Sequence, residues 1–360
     1  MQKTRKAIFI ITLILAAFGA VMIYSSSAIY AYDKMGDSMF FLKRHLLYLI
    51  LGFVAMIAVM SLDLGSIEKH SKKLMFATLF MLVLVLIPNL GVSIAGARRW
   101  FRIGFLSFQP SEMAKFILVI YLASFLSRKG YKIKDFLEGY IPCISVSALT
   151  CLLILLQPDL GTAISVIYIA FLLIFAAGGR IKHLLLSALA GIPFLYFLIF
   201  SVPYRRRRML VFLDPWDDKK GAGFQIIQSF LALGSGGLLG VGLGQSKQKL
   251  FYLPEAHTDF IFSIIGEELG FLGAASLLAL FAIFVWNAMS AFFKIDKVFN
   301  KFLIFGIANM IAFEVIINIG VSAGVFPTKG LPLPFISYGG SSLIFHLMAV
   351  GLMLNAMREQ

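Results

Sequence analysis

The chain has 360 residues, 60% of them hydrophobic, and a formal net charge of +14. Soluble domains are about 45–50% apolar, and the excess here lies in runs long enough to cross a bilayer. A soluble enzyme and a strand-alternating barrel are therefore excluded, and the basic balance is assigned to membrane topology and anionic headgroups rather than nucleic acid.

Ten spans are expected, at 7–24, 46–62, 74–88, 112–126, 141–156, 162–177, 181–202, 260–293, 302–325 and 341–354. The first follows Lys3, Arg5 and Lys6 and precedes a small-residue zone at Ser25, Ser26 and Ser27. Its apolar stretch is too long for a signal peptide, and nine spans follow, so it reads as uncleaved. Sixteen Lys and Arg fall on the segments that face the cytoplasm if the N-terminus is inside, against seven in the short opposite loops. The expectation is an all-α polytopic membrane protein in one domain, 1–360, with about ten transmembrane helices and both termini cytoplasmic. One large extracellular loop, 203–259, joins spans seven and eight. Its glycine-rich part, Gly234 to Gly244, reads as re-entrant or interfacial. The eighth span is long enough to tilt or to extend beyond the bilayer. Cys143 and Cys151 lie in one apolar run with neither disulfide-framework nor metal spacing.

Polar residues at the mouths and interiors of these spans are the candidate functional positions, because buried charge is costly unless paired or wet. Arg98, Arg99 and Arg102 bracket Trp100 and Phe101 before span four. With Arg205–Arg208 they form a set of outer arginines suited to phosphate through bidentate guanidinium contacts, or to lipid headgroups. Glu112 and Lys115 stand at i and i+3 in span four, as an ion pair or a cavity wall. Gln157 and Asp159 form a tight turn, with the carboxylate a turn residue or a cavity lining. Glu314 and Asn318, one helical turn apart in span nine, read as an internal polar pair. Residues 327–342, with three prolines and three glycines, cannot form a regular helix and could dock as irregular backbone over a site. Lys329 and Ser337 belong to this segment. In the stretch 253–270, Glu255, His257, Thr258 and Asp259 lead into span eight, which still carries Glu267 and Glu268. Asp259 is there either a helix N-cap or a general base, with Glu255 and His257 as rivals for the second role. No Walker loop, GxSxG motif or His/Cys metal motif is present.

The segments GARRWFRIGFLSFQPSEMAK, LLQPDLGTA, YRRRRMLVFLDPWDDKKGAGFQIIQS, GLGQSKQKLFYLPEAHTDFIFSIIGEELGF, NIGV and LPFISYGGSS, taken in this order, resemble the SEDS family (shape, elongation, division and sporulation) over nearly the whole chain. The DPW segment and the QKLFYLPEAHTDFIF form resemble its division and sporulation branch, FtsW and SpoVE, more than the elongation branch, RodA. The resemblance implies a peptidoglycan glycosyltransferase of the bacterial cytoplasmic membrane. Its active site would lie on the extracytoplasmic face and polymerise lipid II beside a class B penicillin-binding protein and other divisome membrane proteins. It places the essential carboxylate on Asp259 and an intramembrane pair on Glu112 and Lys115. Arg98, Arg99, Arg102, Arg205, Gln157, Asp159, Glu255, His257, Thr258, Lys329 and Ser337 are then expected around the substrate. A divalent cation, magnesium or manganese, is implied as well, and the sequence shows no ligand set for it. Flipping of lipid II and a scaffold role without chemistry are the competing functions.

Overall fold

A computed structural model describes residues 1–358 other than 95, 105, 220, 222, 251 and 329. Lys329, expected near substrate, thus lies outside the described residues. Apolar runs become helices because a chain in hydrocarbon must satisfy each N–H and C=O internally. In chain order these are α1 Gln2–Met35, α2 Phe40–Met60, α3 Leu64–Leu84, α4 Pro110–Lys129, α5 Ile141–Leu155, α6 Leu160–Ala176, α7 Ile181–Phe200, α8 Pro203–Leu213, α9 Phe224–Ser235, α10 Ile261–Lys294, α11 Val298–Ser322 and α12 Gly340–Ala356. Seven helical segments are long and apolar enough to cross a membrane, and α6, α9 and α12 are shorter apolar helices. The protein is a multi-pass membrane protein.

The helix α4 is the axis of the bundle. From Ala114 to Leu126 every residue but Tyr121 is buried, because α3, α6, α11 and α12 surround it. The helices α2 and α12 lie close through small residues: a Cβ on Gly351 would come within 2.6 Å of the Met56 carbonyl oxygen. At the periphery, α7 has His183 as its one buried side chain and gives its apolar surface to lipid.

Three features depart from the sequence reading. The arginine loop before α4, to which the sequence reading gives no regular structure, is a three-stranded antiparallel sheet, with β1 Val92–Ile94, β2 Ala97–Ile103 and β3 Leu106–Phe108. Gly96 and Gly104, at φ 77° and 62°, make the turns between strands. The tenth residue of α10, Gly270, is at φ 66° and ψ −168°, so the long eighth span is bent rather than merely tilted. Its leg 261–268 is buried all round, while the remainder buries one face, with Leu277, Phe281, Phe284 and Ala288, and exposes the other. The large loop 203–259 contains α8 and α9. Beyond them, residues 236–244 lie against the bend of α10: Val241 and Gly242 N–H groups donate to the Glu267 and Glu268 carbonyls, each at 3.0 Å. This segment turns Leu238 and Leu239 outward, as an interfacial element does.

Contacts between connections assemble one end of the bundle. Tyr48 Oη bonds to Ser107 of β3, Ser341 Oγ of α12 donates to the Ser107 carbonyl at 2.9 Å, and Arg99 of β2 reaches the turn between α5 and α6. Tyr30 and Phe41, flanking the α1–α2 connection, stack near His257.

Candidate active site

Asp259 ends a run of turns, residues 253–260, that leads into α10. Glu255 at φ 56° starts the reversal, and its carbonyl accepts from the N–H groups of Thr258 at 3.1 Å and Phe260 at 3.2 Å. The cap of α10 is Phe260, with no side-chain cap bond. The N-cap reading of Asp259 therefore falls, and its carboxylate is left for other work.

The proline-rich segment holds this carboxylate in place from the opposite side. Tyr338 N–H donates to the His257 carbonyl at 2.9 Å, and Ser337 Oγ to the Thr258 carbonyl at 2.6 Å. Asn318 Nδ2 of α11 donates to the carbonyls of Asp259 at 3.0 Å and Leu331 at 2.8 Å. Gly330, at φ 47°, lies so near that an added Cβ would meet Asp259 Oδ2 at 3.4 Å. These bonds satisfy backbone. None of those among the described residues ends on the Asp259 carboxylate oxygens. Removal from water pushes the Asp259 carboxyl up to about 7; the charges of Glu255 and Asp159 act the same way, while Arg208 and Arg99 oppose them.

The other expected site residues divide into two groups. Near Asp259 are Glu255, whose carboxylate accepts from Thr258 Oγ1 at 2.7 Å, and His257, whose ring packs among Tyr30, Phe41 and Tyr338. Burial pushes the His257 imidazole below its ordinary value, and its aromatic packing makes it a poor rival as base. Asp159 caps α6 through the Thr162 N–H at 3.1 Å and accepts from Gln109 Nε2 at 3.3 Å, so it is a turn residue that also bears on Asp259. The second group is bound into the scaffold. Arg98 reaches the Leu86 carbonyl and Gln157 Nε2 the Leu82 carbonyl, while Arg99 holds the carbonyls of Gln157 at 2.8 Å and Pro158 at 2.6 Å and also acts on Asp259 through its charge. Arg205 reaches the Leu198 carbonyl at 3.1 Å. Of the four consecutive arginines it is Arg208 that acts on Asp259, a choice fixed by the rotation of α8. Arg102 is exposed. Ser337 is internal to the loop, donating to Thr258 and accepting from the Leu333 N–H.

Comparison with known proteins bears on this arrangement. A model of the FtsW/RodA/SpoVE family, described as cell cycle protein, matches residues 5–360. The chain belongs to that family. It is 44% identical to the probable peptidoglycan glycosyltransferase FtsW of Geobacter sulfurreducens, over 99% of this chain and 95% of that protein. It is 46% identical to stage V sporulation protein E of Bacillus subtilis, over 97% and 95%. Among solved structures, a chain of a peptidoglycan synthase complex that coordinates polymerization and crosslinking superposes with TM-score 0.81 at 34% identity, covering 98% of this chain and 97% of that one. The Thermus thermophilus rod shape determining protein RodA superposes at 0.70 with 29% identity, covering 98% and 96%.

Within the bundle, the family member carries a second charged cluster. Lys115 Nζ stands 3.0 Å from Glu112 and 2.5 Å from Glu314 of α11, and His346 Nε2 of α12 stands 2.6 Å from the other Glu314 oxygen. The expected pair is thus part of a four-residue cluster. Glu314 partners Lys115 rather than Asn318, which turns toward Asp259 instead. A third cluster holds Glu267 and Glu268, carboxylates that the sequence places in span eight, together with partners it does not indicate. Glu268, beside the Gly270 bend, takes Lys249 Nζ at 2.7 Å and Ser25 Oγ at 2.6 Å, while Glu267 accepts from the Lys247 N–H at 2.9 Å and from Ser246. Lys249 was legible only as one basic residue in a basic loop. Among the described residues no three His, Cys, Asp or Glu groups converge to hold a metal ion. The described residues thus form no cage for the divalent cation implied by the resemblance.

Proposed function

We propose that this protein is a peptidoglycan glycosyltransferase that polymerises lipid II, with Asp259 as the general base. The observation that carries the assignment is the Asp259 carboxylate: half-buried, without a hydrogen-bonding partner among the described residues, and raised to about 7. An unpaired carboxylate near neutrality is suited to accept a proton at physiological pH. The acceptor 4-hydroxyl attacks the donor anomeric carbon and passes its proton to Asp259. The bond from that carbon to the diphosphate breaks, and the lipid diphosphate leaves with the electron pair. One carboxylate suffices for this single displacement with inversion, since a retaining route needs a carboxylate nucleophile. Diphosphate leaves without a protein acid, and Arg208 and Arg99, described cations whose charges act on Asp259, are suited to meet the charge that develops on it.

Counted over the ten expected spans, the Lys and Arg distribution supports cytoplasmic termini and with them an extracytoplasmic site. The synthase-complex relative supports a partner that crosslinks what this protein polymerises, a class B penicillin-binding protein within a larger division or sporulation assembly. A flippase reading would rest on the charges within the bundle, but Lys115 is held between Glu112 and Glu314, with His346 beside Glu314.

Purified protein given labelled lipid II, with and without a class B penicillin-binding protein, should build glycan strands. Absence of strands under both conditions, together with lipid II translocation in sealed vesicles, would replace the enzyme by the flippase.

A further inference from the structure

The bend at Gly270 is a splice between α10 and the loop before it. In an unbroken helix the carbonyls of Glu267 and Glu268 would accept from the N–H groups of Phe271 and Leu272, four residues on. Here Val241 and Gly242 donate to those carbonyls, each at 3.0 Å, while Phe271 and Leu272 donate to the carbonyls of Gly237 at 2.8 Å and Leu238 at 3.1 Å. Gly240 permits this approach, since an added Cβ would collide with the Glu268 carbonyl. The side chains of the same two glutamates hold the next stretch of chain. Glu267 accepts from the Lys247 N–H at 2.9 Å, from the Gln248 N–H at 3.4 Å and from Ser246 Oγ. Glu268 takes Lys249 Nζ at 2.7 Å and Ser25 Oγ of α1 at 2.6 Å. Both glutamates are buried. Beyond Lys249 the chain turns, with the Leu253 N–H on the Gln248 carbonyl at 2.8 Å, passes through Asp259 and enters α10 at Ile261. The loop that carries Asp259 thus begins and ends on one helical leg, 261–268.

We propose that Glu267 and Glu268 are positioning residues for glycosyl transfer: their carboxylates clip residues 246–249 to the first leg of α10 and so fix the loop that sets where Asp259 stands. The inference rests on the reading of Asp259 as the base. Glu267 engages backbone N–H groups, which fixes the path of the chain rather than the packing of one side chain. Ser337, Tyr338 and Asn318 hold the carbonyls of Thr258, His257 and Asp259, so the glutamates fasten one end of the loop and the proline-rich segment and α11 the other. Closing the loop in advance removes an ordering cost from the reaction, and a reacting group displaced by about 1 Å loses about 10²-fold in rate. The charged groups that bear on Asp259 are Glu255 of its own loop, Asp159 at the start of α6, Arg208 of α8 and Arg99 of β2. Removal from water is the largest influence on its carboxyl. A loop released from the glutamates admits water, and the carboxyl then returns from about 7 toward its ordinary range.

The test gives labelled lipid II to full-length Glu267→Ala and Glu267→Gln in detergent, and follows amide hydrogen exchange in the same samples. Alanine removes the acceptors, whereas glutamine keeps an oxygen for the Lys247 N–H. Glu267→Ala should lower kcat by about 10- to 10²-fold, leave KM within about twofold, and move the acid limb of the rate profile to lower pH. Exchange at 246–260 should rise about tenfold or more while that of α4 stays at the wild-type level. Glu267→Gln should restore kcat to within about threefold of wild type and return the acid limb to its wild-type position. If Glu267→Ala does not fold, Ser246→Ala, which deletes one donor to Glu267, should shift the limb in the same direction. Faster exchange with kcat and the acid limb unchanged overturns the positioning role, and unchanged exchange overturns the clip itself. Wild-type protein that builds no strands counts against the catalytic reading and removes the role with it. The exchange measurement needs no turnover, and so separates that failure from a failure of the clip.

Discussion

Two carboxylates illustrate opposite uses of burial in this molecule. Glu314, at the bundle centre, is fully buried and has Lys115 at 2.5 Å and His346 at 2.6 Å. Asp259, at the bundle end, has Asn318 on its backbone carbonyl and Gly330 against its side chain, and its oxygens are left without a hydrogen bond among the described residues. A buried charge paired with a counter-charge stiffens a structure, since removing one partner strands the other in a medium that solvates it poorly. A charge held by its backbone but unmatched at its oxygens is available for reaction. The comparison assigns architecture to the first cluster and chemistry to the second.

The comparison can be broken at several points. Lys115→Met leaves Glu112 and Glu314 without their cation and should cost about 3–5 kcal/mol, seen as a lower melting temperature in detergent; a melting temperature equal to wild type would remove the architectural role. Asn318→Ala deletes two hydrogen bonds to buried carbonyls and should cost about 1–3 kcal/mol in total. With Asp259 less firmly held, kcat should fall more than KM rises, and a pure KM effect would argue against positioning. The pH dependence sharpens the contrast further. The base must be ionised, so kcat should climb as pH rises through about 7, the value to which the Asp259 carboxyl is pushed. Because that value lies above the unfolded one of about 3.9, the folded state holds the proton more tightly, and stability contributed by Asp259 is lost as pH rises across this interval. Asp259→Asn should not show this loss. The smallest effect is expected from Arg208→Ala, which removes a cation that lowers the Asp259 value and should move the acid limb of the rate profile to higher pH. A limb displaced to lower pH would contradict the placement of Arg208.

Much of this was legible in the sequence because polar residues in apolar runs stand out. Glu112 and Lys115 announce themselves by cost alone, and residues 327–342 by prolines that exclude a helix; Asp259 reads equally as a helix cap, and only the family resemblance singles it out from Glu255 and His257. The partners of those residues were not legible. Glu314 meets Lys115 across 199 residues of chain, a contact set by how α4 and α11 pack and by nothing in either segment. Arg208 differs from Arg205 only by the rotation of a short helix. The sheet at 92–108 was hidden because its arginines and aromatics resemble an ordinary basic loop, although Gly96 and Gly104 mark its turns. The bend at Gly270 was hidden by an otherwise unbroken apolar run, and with it the site where Glu268, Lys249 and Ser25 meet.

The most direct test measures turnover and melting of Asp259→Asn side by side with wild type at pH 8. If Asp259 is an unmatched base, the variant should melt at or above the wild-type temperature while glycan synthesis falls by about 10²- to 10⁴-fold. A folded variant that polymerises lipid II at the wild-type rate would contradict the account and move the base to another residue.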